Sequence, residues 1–231
     1  AAREAGAKVV AIDRADPPAG GIAQATCLGG VDLADPQSAK QAMAAAADAL
    51  GGLDALVNIA GTFRYESIAD GSVDTWDLLY RVNLRSAGAS SQAALEHLQA
   101  GGRIINISSE NAEQPDPDMG HYNATKAALN NYSKTLSENY GKDNILVNTV
   151  SPAFIRTPLV DDMLEGIAKE KGISAEAAAK EFLKEKRPYQ VLGRPGLPEE
   201  TGSVVAFLAS GQASFITGAV FRVDGGSVGT V

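Results

Sequence analysis

The sequence predicts an α/β domain with a doubly wound parallel sheet. Short β-branched runs alternate with longer helical patterns, which is the mark of βαβ units. Several of those runs are almost continuous in Val, Ile and Leu, as strands covered by helices on both faces must be. The 231 residues, 45% apolar and 21% charged, have the balance of a globular protein and suffice for one large domain.

The elements follow in chain order. Ala1–Gly6 reads as the closing turns of a helix, with Gly6 as its stop. Lys8–Ile12 reads as a strand, followed by a weaker run around Ala25–Val31. Asp35-Pro36 opens a helix as N-cap and first-turn proline, and Gly51 follows its end. After the strand Leu53–Ile59, Ser72 caps a helix whose first turns carry Asp74 and Asp77, favourable to its dipole. Arg103–Ile107 is the next strand, and a long helical pattern runs from about Met119 to Tyr140, closing at Gly141. Ile145–Val150 and Ala219–Val223 are the remaining strands. Pro198 and Glu199-Glu200 begin the last helix, which extends to about Ser210. Composition shifts once, at Asp161–Arg187, a charged, alanine-rich stretch read as two short helices: a solvated surface hairpin or a lid over a site.

Composition also excludes functions. Twenty basic against 28 acidic side chains give a net charge of -8, the wrong sign for nucleic acid or an anionic membrane. The single cysteine, Cys27, forbids an intrachain disulfide and fits a reducing, cytoplasmic setting. No apolar run approaches the roughly 20 residues that span a bilayer. His97, His121 and Cys27 lack zinc-site spacing, so no metal is expected, and no Gly-x-Ser-x-Gly pentapeptide marks a hydrolase nucleophile.

The chemistry concentrates in one region. Tyr122 and Lys126 are four apart on the long helical pattern, hence on one face. That pair alone carries little weight. Ser109, thirteen residues before Tyr122, ends the run Arg103–Ser108, at the carboxyl end of a strand where open α/β sheets bind ligands. A free tyrosine hydroxyl, with a pKa of about 10, is too weakly acidic to act as a base at neutral pH. A neighbouring ammonium favours the phenolate, the service Lys126 offers Tyr122. A tyrosine so tuned exchanges a proton with an alcohol or carbonyl, and Ser109 would hydrogen-bond the same oxygen. The trio cannot move a hydride, so a cofactor must. His121, beside Tyr122, reads instead as a substrate-pocket or surface histidine, because adjacent helical residues point in different directions.

Gly102-Arg-Ile-Ile-Asn-Ile-Ser-Ser109 followed by Tyr122-Asn-Ala-Thr-Lys126 resembles the catalytic strand and helix of the short-chain dehydrogenase/reductase family. Asn58-Ile-Ala60-Gly61 is similar to its Asn-Asn-Ala-Gly motif, and Asn83 in Arg81-Val-Asn-Leu84 matches the fourth member of its catalytic tetrad, which bends a helix and holds a relay water. Ser151-Pro152-Ala-Phe-Ile-Arg-Thr157 resembles the segment after the sixth strand, with Thr157 at the nicotinamide carboxamide. Gly193–Glu199 and Ile216–Gly226 match the C-terminal pattern, so the likeness spans essentially the whole chain. Read without it, Asn83 is a buried polar group, Asn58 a strand-end cap, and Thr157 the N-cap of the helix after Pro158.

The resemblance implies a Rossmann-type fold, reversible oxidation of a secondary alcohol to a ketone, and a homotetramer. Asp13, at the end of a strand, would accept hydrogen bonds from the adenosine ribose and repel the 2′-phosphate of NADP. It favours NAD, whereas Arg14 keeps NADP as the lesser alternative. Asp32 is similar to the family's acidic residue at the adenine amino group, or else forms a turn before Asp35. Substrate choice falls to the loop Glu110–Gly120 and to the lid at Asp161–Arg187, whose Met163, Leu164, Ile167, Phe182 and Leu183 either meet an apolar substrate portion or pack the lid onto the body. The family's glycine-rich turn, Thr-Gly-x-x-x-Gly-x-Gly, and the strand before it have no counterpart here. In the family order 3-2-1-4-5-6-7 that strand lies mid-sheet, and losing it would leave two facing edges unpaired. The expectation is therefore a natural chain with roughly 25 to 30 more N-terminal residues. An NADPH-linked reductase of 3-oxoacyl thioesters and a non-catalytic binding subunit are the alternative readings.

Overall fold

Alternation along the central strands sends neighbouring side chains into two different cores. In the computed structural model, which describes residues 1–18, 22 and 25–230, Ile104 and Val147 join a cluster with Met43, Ala94 and Leu136. Their near neighbours Ile105 and Val150 pack with Leu208 and Ala213 on the opposite face. Such two-sided burial requires helices above and below. The chain order is β1 (Val9–Ile12), β2 (Ala25–Leu28), α1 (Pro36–Leu50), β3 (Leu53–Asn58), α2 (Val73–Tyr80), α3 (Ser86–Ala94), β4 (Leu98–Ile107), α4 (Gly120–Tyr140), β5 (Leu146–Pro152), α5 (Pro158–Lys171), α6 (Ala175–Lys186), α7 (Pro198–Ala209) and β6 (Val220–Val223).

All described strand pairs are parallel. They form two ladders, β1-β2 and β3-β4-β5-β6. β1 and β3, which flank the first strand in the expected order, are not paired with each other. Helices α1, α3 and α4 cover one face of the larger sheet, with α7 on the other.

The local signals act as expected at most boundaries. Asp35 Oδ1 accepts from the Gln37 N–H at 3.1 Å, and Gly51 takes a left-handed φ of 76° at the end of α1. Ala1–Gly6 is a helical turn closed by a Schellman pair, Ala7 N–H to Ala2 O and Gly6 N–H to Arg3 O, with Gly6 at φ 89°. α4 closes at Gly141 as expected, with that C-cap at φ -58°; a 3-10 turn follows, and the left-handed residue is Asn144 at φ 58°. One expectation needs correction. β4 begins five residues before Arg103, at Leu98, because an irregularity in its pairing with β3 absorbs the exposed Gln99–Gly101 stretch. Between α2 and α3 the helix widens into a π turn, Arg81–Arg85, with Asn83 buried in it.

Ile104 is fully buried between β3 and β5. Ile104→Ala is expected to destabilise the fold by about 2–5 kcal/mol, read as a lower urea midpoint at unchanged m-value.

Candidate functional site

The carboxyl ends of β3, β4 and β5 set the site. β4 runs into Ser108 and Ser109, and Ser109 then caps the short turn Glu110–Ala112, its Oγ accepting from the Asn111 N–H at 3.2 Å. α4 returns across the same edge, with Tyr122 in its first turn and Lys126 one turn later. Lys126 is only 4% exposed, and its ammonium donates to the Ile107 carbonyl at 2.9 Å. The same Nζ lies 5.7 Å from the Tyr122 ring centroid. A lysine carries three donors, so this single carbonyl leaves others for a ligand.

Asn83 reaches the site from below. Its Oδ1 accepts from the Thr62 N–H at 2.8 Å, and its Nδ2 donates to Thr62 O at 2.9 Å and to Thr125 Oγ1 at 3.1 Å. The Thr125 hydroxyl in turn donates to the Tyr122 carbonyl at 2.8 Å. This clasp holds the loop after β3 against α4. A Cβ placed on Gly61 would stand 3.5 Å from both Asn83 Oδ1 and Lys126 Nζ. Ser109, Tyr122, Lys126, Asn83 and Gly61 are thus brought together, over a wall made by Phe63, whose ring meets Tyr122 edge-on at 6.3 Å and Tyr65 at 5.7 Å.

Burial dominates the electrostatics of the site. Burial pushes the Tyr122 phenol up, while the facing Ser109 hydroxyl pulls it down and the Glu110 carboxylate adds to the rise. Burial lowers Lys126 to about 8. Desolvation is the largest cause for both groups, and the Lys126 ammonium points at the Ile107 carbonyl.

The other residues sit apart. Asn58 donates to Asn106 Oδ1 at 2.8 Å and Ser91 Oγ at 3.1 Å, tying β3 to β4 and α3. Asp13, exposed at the end of β1, accepts from the Ala15 N–H at 2.8 Å, and Arg14 beside it is exposed. Asp32 serves a turn, accepting from Ala34 N–H at 2.9 Å, and also pairs with Arg81 at 3.2 Å. Thr157 caps α5 through the Val160 N–H at 3.4 Å, and Pro152 ends β5. His121 is not a surface residue: it is buried, its ring centroid 4.3 Å from that of Trp76 and tilted 59° to it, in space that only a glycine at position 71 leaves open. Phe182 stacks 4.7 Å from Phe154, and Leu164 and Leu183 are buried, so those side chains of segment 161–187 serve packing.

Sequence reasoning missed one cluster beside Ser109. Glu110, Asn111 and Asp116 all bond Arg187, which lies more than 70 residues away. Only the acidic residue directly after Ser109 hinted at it.

A protein-family model described as "Enoyl-(Acyl carrier protein) reductase" matches residues 1–228. The chain is 37% identical over 180 residues to 4-formylbenzenesulfonate dehydrogenase TsaC1/TsaC2 of Comamonas testosteroni, covering 77% of this chain and 68% of that one. It is 34% identical over 232 residues to the inactive 2-(S)-hydroxypropyl-CoM dehydrogenase 2 of Xanthobacter autotrophicus, covering 98% and 97%. Among solved structures it resembles L-sorbose reductase from Gluconobacter frateurii, complexed with NADPH and L-sorbose, at TM-score 0.83 and 30% identity, covering 90% of this chain and 79% of that one.

Burial makes the charged form of Lys126 costly to the folded state. That penalty is complete below pH 8 and fades toward the ordinary lysine value, about 10.4. Wild-type stability relative to Lys126→Met is therefore expected to rise between about pH 8 and about pH 10, measured by chemical denaturation.

Proposed function

The chain belongs to the short-chain dehydrogenase/reductase family and is an oxidoreductase of that kind, and we propose that it interconverts a secondary alcohol and a ketone using NAD. One observation carries the reading: Asn83 and Lys126, 43 positions apart, meet over Gly61 at the carboxyl edge of the sheet, and Tyr122, with Ser109 facing it, lies beside Lys126.

The residues suit a nicotinamide cofactor by the chemistry of their donors and acceptors. Asp13 offers a carboxylate at the end of β1 for the adenosine ribose, with Asp32 nearby in chain order for the adenine. Lys126 has ammonium protons to spare for the nicotinamide ribose, and Tyr122 lies beside it. Asn58, Ala60 and Gly61 at the end of β3, and Pro152 and Thr157 at and after the end of β5, would contact the nicotinamide half, as the resemblance implies. When bound, the cofactor supplies the hydride acceptor or donor.

The chain's own groups handle the proton. Tyr122 takes the hydroxyl proton in oxidation and returns it to the carbonyl oxygen in reduction. Ser109 donates to the same oxygen and favours charge developing there. Lys126 orients the ribose, and Asn83 keeps the loop after β3 and the first turns of α4 in register. A phenol raised by burial stays protonated at neutral pH, which suits it to ketone reduction and leaves alcohol oxidation dependent on alkaline conditions. Asp13 supports NAD; Arg14, adjacent and exposed, is what would serve NADP.

As a whole we read residues 1–231 as one domain, with segment 161–187 as a substrate lid, working in the cytoplasm as a homotetramer. The lid reading is supported by a neck: Arg156 N–H to Gly196 O at 2.8 Å and Gly196 N–H to Phe154 O at 2.9 Å. Exposed Phe207, Phe215 and Val220 on α7, β6 and the turn between them supply apolar surface for assembly. The second reading, a non-catalytic member, is favoured by the near-full-length likeness to a relative named inactive.

Tyr122→Phe is expected to lower turnover of secondary alcohols at least about a hundredfold while cofactor affinity, followed by fluorescence titration, barely moves. Turnover within about tenfold of wild type refutes the assignment. Asp13→Ala is expected to shrink the ratio of NAD to NADP affinity, and an unchanged ratio removes Asp13 from the cofactor site. A wild type that binds the nicotinamide but turns over no alcohol or ketone decides for the non-catalytic reading.

A further inference from the structure

One guanidinium ties together two parts of the site that the chain keeps far apart. Arg187 follows α6, at the base of the helical hairpin. Its Nε donates to Glu110 Oε1, its Nη1 to Asp116 Oδ2 at 3.3 Å and its Nη2 to Asn111 Oδ1 at 3.1 Å. All three partners are buried, and all three lie on the stretch that runs from Ser109 to Tyr122. The contacts also close onto α4. Asn111 Nδ2 donates to Asn123 Oδ1 at 3.0 Å, and Asn123 Nδ2 donates to the Asp116 carbonyl at 2.7 Å.

This is not the kind of pair that decorates a surface helix. Within and just before the hairpin, Lys171–Glu181 and Arg156–Asp161 are exposed, where such pairs contribute little. The Arg187 side chain is only 12% exposed and faces two buried carboxylates. Withdrawing it would leave both charges without a counterion, which is strongly unfavourable. The planar fork is also used in three directions, which a lysine ammonium on a flexible stem does not reproduce.

We propose that Arg187 is a positioning residue: by gripping Glu110, Asn111 and Asp116 it fixes the Ser109–Tyr122 segment and couples it to the base of the hairpin. The proposal rests on the roles given above to Ser109 and Tyr122. Arg187 acts through those residues, by holding the backbone that aims them. Lys186, paired with Asp118 at 3.1 Å, braces the same segment from a more exposed position.

The test compares the full chain with its Arg187→Met, Arg187→Lys, Glu110→Gln and Arg187→Met/Glu110→Gln variants. Amide hydrogen exchange is followed alongside steady-state kinetics. In Arg187→Met, exchange across 109–118 is expected to rise about tenfold or more while peptides from α1 and β5 stay protected. With an active enzyme, kcat is expected to fall roughly tenfold or more at nearly constant cofactor KM, since small misplacements of reacting groups are costly. Arg187→Lys recovers part of kcat, and the double variant recovers part by removing an unpaired charge. If Arg187→Met does not fold, Glu110→Gln must loosen 109–118 by itself. Unchanged exchange there, unchanged kcat despite faster exchange, or equal loosening of the whole chain overturns the proposal. A wild type without turnover sinks the function proposed above, and the exchange data then decide Arg187 alone.

Discussion

From Gly102 to Asn106 strand β4 is buried on both faces, between β3 and β5. That constraint organises the molecule. A strand shielded on both sides cannot end in the interior without partners for its last backbone groups. The groups that meet it there become the site. The Ile107 carbonyl, last of the strand, receives the Lys126 ammonium, and the Ser108 N–H donates to the Val150 carbonyl at 2.8 Å. Ser109 leaves the ladder in an extended conformation and turns at once into a cap. The side chains of the candidate site are therefore held by the same hydrogen bonds that finish the sheet.

Buried polar residues extend this logic inward. Asn58 and Asn106 are register partners on β3 and β4, bonded to each other, and Asn106 passes the chain of bonds to Ser133 on α4 at 2.8 Å. On the other side of β4, Asn148 of β5 spans to the turn before β6 through Ile216 O and the Ala219 N–H. Each amide satisfies groups that would otherwise be unpaired in a dry interior. Their shared effect is to fix the spacing of β3, β4 and α4, on which the approach of Gly61, Ser109 and Tyr122 depends.

Burial also sets the chemistry, and it acts on the two key groups in opposite senses. It raises the phenol of Tyr122 and lowers the ammonium of Lys126, so both are pushed toward their neutral forms. The charges near Tyr122 that belong to Glu110 and Arg187 oppose one another across a single buried contact. Small rearrangements of that pair would thus change both the position and the proton affinity of the tyrosine.

The sequence by itself determined the alternation of strands and helices, the caps at Asp35, Ser72 and Thr157, and the placing of Tyr122 and Lys126 on one helix face. These are local patterns: a period of two or 3.6, a capping oxygen, a spacing of four along one helix face. Gly141 caps α4 where the sequence put its end, while the left-handed residue that follows is Asn144. The sequence did not reveal that His121 is sealed under Trp76, or that Lys126 turns to Ile107. The grip of Arg187 on Glu110 and Asp116 was equally hidden. Those facts belong to the tertiary structure alone, because desolvation and contact between residues dozens of positions apart arise only when the elements pack.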